Sequence, residues 1–165
     1  MELLKQNIQE PNCLAIAAVM VLRHTVEIHR PWYVSTAHAD NLFETIGHRG
    51  QEIIWPGSEY SQKLKGIHPQ EIIDWYINFG YTLWLLERFP RSAPRGLEKE
   101  VVMLWDGEGA NTRFWNLLKK RAAILTTVTH AVAWDGYKGY DPNGHIIEKE
   151  DLENLVREGW LIVRL

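Results

Sequence analysis

The sequence predicts an α+β fold formed as a single domain over residues 1–165, with helices concentrated in its first half and antiparallel strands in its second. Three observations predict it. Cys13 to Leu22 is apolar on every side, which suits a helix buried all round better than a surface helix. His68 to Phe79 starts with Pro69 in its first turn, repeats apolar Ile72, Ile73, Trp75, Tyr76 and Phe79, and meets Gly80 as a stop. From Ala123 onward, short runs of strand-forming residues alternate with Asp-Gly and Asp-Pro-Asn-Gly turns. Helices followed by strands, rather than strict alternation of the two, argue against a doubly wound parallel sheet.

The elements follow in order. Pro11 ends the extended approach and Asn12 is a good N-cap for the first helix, whose apolar run closes at Leu22. Between Glu27 and Gly66 the pattern is broken by Pro31, Gly47, Gly50, Pro56 and Gly57, with helical character only from Ala39 to Ile46. Tyr81 to Leu86 reads as a strand. Arg88 to Gly96 is a Pro- and Gly-containing connection to a strand over Val101 to Trp105, and Asn111 to Arg121 reads as a helix. An antiparallel meander is expected over Ala123 to Val128, His130 to Trp134, Tyr137 to Tyr140 and His145 to Ile147. Asp151 to Arg157 gives a short helix and Trp160 to Leu165 a final strand.

At 165 residues the chain is long enough to bury a full core without staples, since folding at this size covers about 70% of the unfolded surface. A formal net charge of −3 supplies no basic field for nucleic acid or an anionic membrane, so neither is an expected partner. One cysteine excludes an internal disulfide and a zinc ribbon. The run from Cys13 to Leu22 is about half the length that spans a bilayer, and the polar segment before it does not resemble a signal peptide. A cytoplasmic location is the expectation.

Cys13 is the sharpest chemical feature. At the first turn of a buried helix, free backbone N–H groups and the helix dipole stabilise a thiolate, although a lone Cys is also simply a small hydrophobe suited to a core. Sulfur nucleophiles need an imidazole within reach and a third group to orient it. His130 opens a strand flanked by the small residues Ala131 and Ala133, and Asp141 ends the next strand across one tight turn. The bland alternative is a hydrogen-bonded strand histidine beside an ordinary turn.

An early Cys opening a helix, a His-Ala-Val-Ala-Trp strand and a following Tyr-Asp-Pro-Asn-Gly turn together resemble the papain-like cysteine peptidases. The likeness is to the small bacterial and phage domains related to the peptidases that process bacteriocin leaders. It is carried by Gln6 to Leu22, His130 to Trp134 and Tyr140 to Gly144, with Glu71 to Leu86 resembling the helix-then-strand piece between. The resemblance implies a papain-like domain in which the nucleophile helix packs on the C-terminal sheet. It implies Cys13 as nucleophile, His130 as general acid and base, and Asp141 as orienting carboxylate, acting on a peptide or protein through a thioester. An oxyanion donor is implied just before the Cys. The family places a Gln six residues ahead of the Cys; here that position is Asn7, with Gln6 one further out and Gln9 nearer. Gln6 is favoured, with one residue inserted in the bend at Gln9-Glu10-Pro11. Leu14 stands where these peptidases commonly carry Gly, and its bulk is expected to narrow the cleft. Two other readings stand beside it: a non-catalytic module on the same fold that captures a protein in the cleft, and a transglutaminase-like acyltransferase that keeps the Cys, His and Asp but passes the acyl group to an amine.

No cofactor or metal is expected. His38, Asp40, His48 and His68 lack metal-ligand spacing, Glu148 and Glu150 read as a solvated turn, and Asp106-Gly107-Glu108-Gly109 lacks the context of a phosphate loop. Among the 8 Trp, Trp32, Trp55, Trp105 and Trp115 fall near expected loops, with Tyr33, where aromatic side chains could line a groove, but core packing is the favoured role for most of them; Trp84 and Trp134, on strands, are expected in the core.

Overall fold

A computed structural model of the chain describes residues 1–6, 13–26, 72–88 and 108–165. Helix α1 (Cys13–Val26) buries every residue from Leu14 to Leu22, as an all-apolar surface requires. It runs one turn beyond the apolar stretch because its polar end finds partners. The Arg23 guanidinium meets the Glu2 carboxylate at 2.5 Å and the Thr25 hydroxyl donates to the Val21 carbonyl at 2.8 Å. Cations in a last turn also complement the helix dipole.

Helix α2 (Ile73–Ile77) follows a tight turn at Ile72 and ends where Gly80 takes φ 83°, the left-handed conformation Gly adopts at least cost. The expected start of this helix, and the expected elements over 39–46 and 101–105, lie outside the described residues. Tyr76 is fully buried, and its hydroxyl donates to the Ala18 carbonyl of α1 at 2.7 Å. Burial pushes the Tyr76 phenol well above its ordinary pKa, so it stays a neutral donor.

Strand β1 (Tyr81–Glu87) comes next, then helix α3 (Glu108–Leu118), which starts and stops three residues earlier than expected. Its stop is made by Lys120, which takes φ 61°. That conformation is unusual for a side chain other than Gly. It is held here because the Lys120 amide donates to the Gly136 carbonyl at 3.2 Å. Strands β2 (Ala123–Thr126), β3 (Ala131–Trp134), β4 (Gly139–Asp141) and β5 (His145–Ile147) form the expected meander. Tyr137 and Lys138 are taken from the expected strand into the β3–β4 turn, where their amides donate to the Asp135 carboxylate.

Helix α4 (Lys149–Leu152) is shorter than expected, and β6 (Glu158–Arg164) completes an antiparallel sheet of order β1-β6-β2-β3-β4-β5. Successive strand residues point to opposite faces, and two cores result. Ile124, Ala131, Ala133, Tyr140 and Trp160 join α1 and α2, whereas Ala123, Leu125, Trp134 and Leu161 join Phe114, Trp115 and Leu118 of α3. Trp134 also donates its indole N–H to the Leu118 carbonyl at 3.0 Å.

Trp84 departs from expectation: it is 65% exposed. It stands opposite Leu161 on β1, which is an edge strand among the described residues, and the α3-side core takes in Leu86 of that strand but not Trp84. Trp115 lies within α3 and is buried, the core role favoured over a groove. It packs against Phe114 and Trp134, with the Arg88 guanidinium and Lys149 ammonium over its ring.

Gly136 links the α3 terminus to the β3–β4 turn. It takes φ 101°, and a Cβ there would lie 2.7 Å from the Lys120 backbone. Gly136→Ala is expected to lower unfolding free energy by about 2 kcal/mol, read from urea denaturation monitored by Trp fluorescence; an unchanged midpoint contradicts this packing.

Candidate functional site

One end of the sheet gathers the candidate residues, and turn chemistry positions them. The β2–β3 connection spans only 127–130. Its closure is over-determined: the Thr127 amide donates to the His130 carbonyl at 2.8 Å, and the Thr127 hydroxyl accepts from the amides of His130, at 3.0 Å, and Thr129, at 3.3 Å. A threonine hydroxyl binding the backbone ahead of it is a local substitute for a strand ladder. His130 is thereby fixed one residue before β3. On that strand Ala131 and Ala133 present small side chains to α1, so the helix lies close and its first residue, Cys13, reaches the imidazole.

Asp141 arrives from the other side. Ala133 pairs with Tyr140, so continuing the register sets Asp141 diagonally across from His130, within side-chain reach. Nε2 of His130 lies 2.7 Å from Oδ1 of Asp141. The same oxygen accepts the Asn143 amide at 2.8 Å, and the Asp141 carbonyl accepts the Gly144 amide at 2.8 Å. These bonds turn the chain directly after β4 and hold the carboxylate by more than its histidine.

Gln6 joins this turn from the N-terminal segment. Its amide N–H donates to the Pro142 carbonyl at 2.8 Å and its Nε2 donates to Oδ1 of Asn143 at 2.7 Å, while Oε1 is buried without a partner. Beside it, the Lys5 side chain crosses the space a Cβ at Gly144 would fill, and Gly144 has φ 97°. The other two amide candidates, Asn7 and Gln9, lie outside the described residues, as do His38, Asp40, His48, His68, Trp32, Tyr33, Trp55 and Trp105. Leu14, expected to crowd the cleft, is packed in the α1-side core at 4% exposure.

The electrostatics follow from this geometry. His130 is raised from 6.5 to about 9. Its hydrogen bond to the Cys13 side chain is the largest cause, burial opposes it, and the Asp141 hydrogen bond and both partner charges add to it. Nε2 of the ring faces the carboxylate. The pair is open to solvent in part, with 25% of the His130 side chain and 13% of Asp141 exposed. Cys13 is half-buried and unpaired with any other thiol, at the start of a helix of 14 residues.

The structure thus brings Cys13, His130 and Asp141 together and sets Gln6 against the turn that carries Asp141. Asn143 and Thr127 were not singled out by sequence reasoning. The Thr-Val-Thr-His string carries the hydroxyl-turn signal, whereas Asn143 looks like an ordinary turn residue until its side chain meets Gln6. Among the described residues, no three His, Cys, Asp or Glu side chains are grouped to hold a metal ion, and no helix is long and apolar enough to cross a membrane. No protein-family model, curated protein or solved structure matches the chain.

The raised value belongs to the folded state. The contribution of the His130 contacts to stability is therefore complete below about pH 6.5 and is lost as pH rises through about 9. An NMR titration of the His130 ring is expected to show a midpoint near 9, which Cys13→Ala lowers further than Asp141→Asn does. A midpoint near 6.5 in the unsubstituted protein contradicts the contact.

Proposed function

We propose that the protein is a thiol-dependent acyl-transfer enzyme of papain-like architecture, most simply a cysteine peptidase or isopeptidase acting on a peptide or protein. One observation carries the reading: the His130 imidazole meets the Asp141 carboxylate at 2.7 Å and its pKa is raised chiefly by the Cys13 side chain, although Cys13 and Asp141 lie more than a hundred positions apart and share no element. A core Cys and a strand His have no structural need to meet in this way.

The chemistry follows from the positions. Cys13 Sγ, as thiolate, attacks the carbonyl carbon, and the C–S bond forms as the carbonyl electrons move to oxygen. The negative oxygen needs aimed donors, and the Cys13 backbone N–H with the Gln6 amide supplies them. His130 gives its proton to the leaving amine as the C–N bond breaks, which leaves a thioester. Water, deprotonated by His130, then hydrolyses the thioester and restores the thiol. Asp141 holds Nε2–H throughout and so keeps the ring oriented.

Iodoacetamide alkylation tests the nucleophile without a known substrate. At pH 6 to 7 Cys13 is expected to alkylate at least about tenfold faster than a free thiol, with Cys13→Ala abolishing the label, His130→Ala removing most of the advantage and Asp141→Ala removing less. Alkylation no faster than a free thiol, or only after unfolding, would leave a protein-binding module. With a peptide substrate in hand, incorporation of an added primary amine separates transferase from hydrolase.

A further inference from the structure

The 141–144 turn does more than hold the carboxylate. We propose that Asn143 is a positioning residue, whose side-chain amide sets the rotation of the Gln6 amide and so aims its second N–H at the oxyanion of the proposed acyl transfer. The inference rests on the reading of the preceding subsection.

A glutamine is a long side chain whose terminal amide rotates freely unless something fixes it. Nε2 carries two hydrogens. One is spent on Oδ1 of Asn143 at 2.7 Å, and the other remains for a ligand. Oε1 is buried and has no partner, so the Asn143 bond is the only side-chain hydrogen bond that orients this amide among the described residues. Asn143 is itself held, because its backbone N–H donates to Oδ1 of Asp141 at 2.8 Å. The Gln6 backbone is tied to the neighbouring residue through the Pro142 carbonyl at 2.8 Å. One residue therefore connects the histidine-orienting carboxylate to the oxyanion donor. The connection has two separable halves, because the backbone N–H survives any side-chain substitution while the Gln6 contact does not.

Two probes separate positioning from mere integrity. With p-nitrophenyl acetate, the Cys13 thiolate attacks the ester carbonyl, the C–S bond forms, the C–O bond breaks, and p-nitrophenolate leaves with the electron pair through a tetrahedral oxyanion. With iodoacetamide the same thiolate displaces iodide at a saturated carbon, and no oxyanion forms. The readout is the ratio of the two second-order rates at Cys13.

Asn143→Ala is expected to lower that ratio about tenfold, since misaiming a donor by a fraction of an ångström weakens transition-state contacts steeply. Asn143→Asp keeps an acceptor for Gln6 Nε2 and is expected to recover most of the loss. In a Gln6→Ala background, Asn143→Ala is expected to cost nothing further, because a residue acting through another has no effect once that other is gone. The proposal is overturned if Asn143→Ala leaves the ratio unchanged, if both rates fall together, or if its effect adds in full to that of Gln6→Ala. A native protein whose Cys13 reacts with both probes no faster than a free thiol removes the acyl-transfer reading itself. That outcome is distinct from a fast native thiol whose ratio ignores Asn143, and it overturns this proposal as well.

Discussion

Helix α1 has no polar face, and the rest of the structure answers that constraint. A helix buried from Leu14 to Leu22 must be covered on all sides. The sheet covers one side through the small Ala131 and Ala133, α2 covers another through Tyr76, and the N-terminal segment closes against it through Leu4. Close packing against alanines is what allows the backbone of the helix to approach the strands. Its first residue, Cys13, is therefore delivered to the edge of the core beside the β2–β3 connection. The sulfur is half-buried because it stands where the apolar demand of the helix ends.

Around that edge, rigidity comes from short polar loops rather than from apolar packing. Thr127, Asp135 and Asp141 each bind backbone amides just ahead of them in the chain. Each is a local bond that costs little entropy, because the residues joined are already neighbours. Asp135 also accepts the Tyr140 hydroxyl at 2.9 Å, which fastens β4 to the base of its own hairpin. Burial raises the Tyr140 phenol above its ordinary value, and the hydrogen bond to Asp135 adds to this, so the hydroxyl remains a donor. Both flanks of the β3–β4 pair are thus pinned, and His130 and Asp141 inherit a fixed separation.

Much of this was legible in the residues. The all-apolar run of α1, the runs of strand-forming residues in β2 and β3, and the Asp-Gly and Asp-Pro-Asn-Gly turns are local signals, and the meander follows from them. Cys13, His130 and Asp141 were legible as a set because each sits at an element boundary that local chemistry marks. Helix ends were not. Lys120 stops α3 through a contact with Gly136 across the fold, and nothing in Lys-Lys-Arg announces a left-handed residue. Trp84 was misplaced for the same reason, since exposure depends on which strand lies at an edge of the sheet and which helix covers it. The Gln6–Asn143 pair joins residues at opposite ends of the sequence, and no periodicity predicts it.

The position of β6 has a consequence for how the molecule assembles. The strand follows all the others in the chain, yet it lies between β1 and β2. The local meander β2 to β5 can zip early, whereas β1 waits without its described partner until the final strand has been synthesised and inserted. Such long-range pairing is slow, because distant segments must meet before any bond repays their loss of freedom. Unmated ribbons are also sites of mispairing in the meantime. On the ribosome, the incomplete chain would carry an open seam between its meander and the lone strand β1.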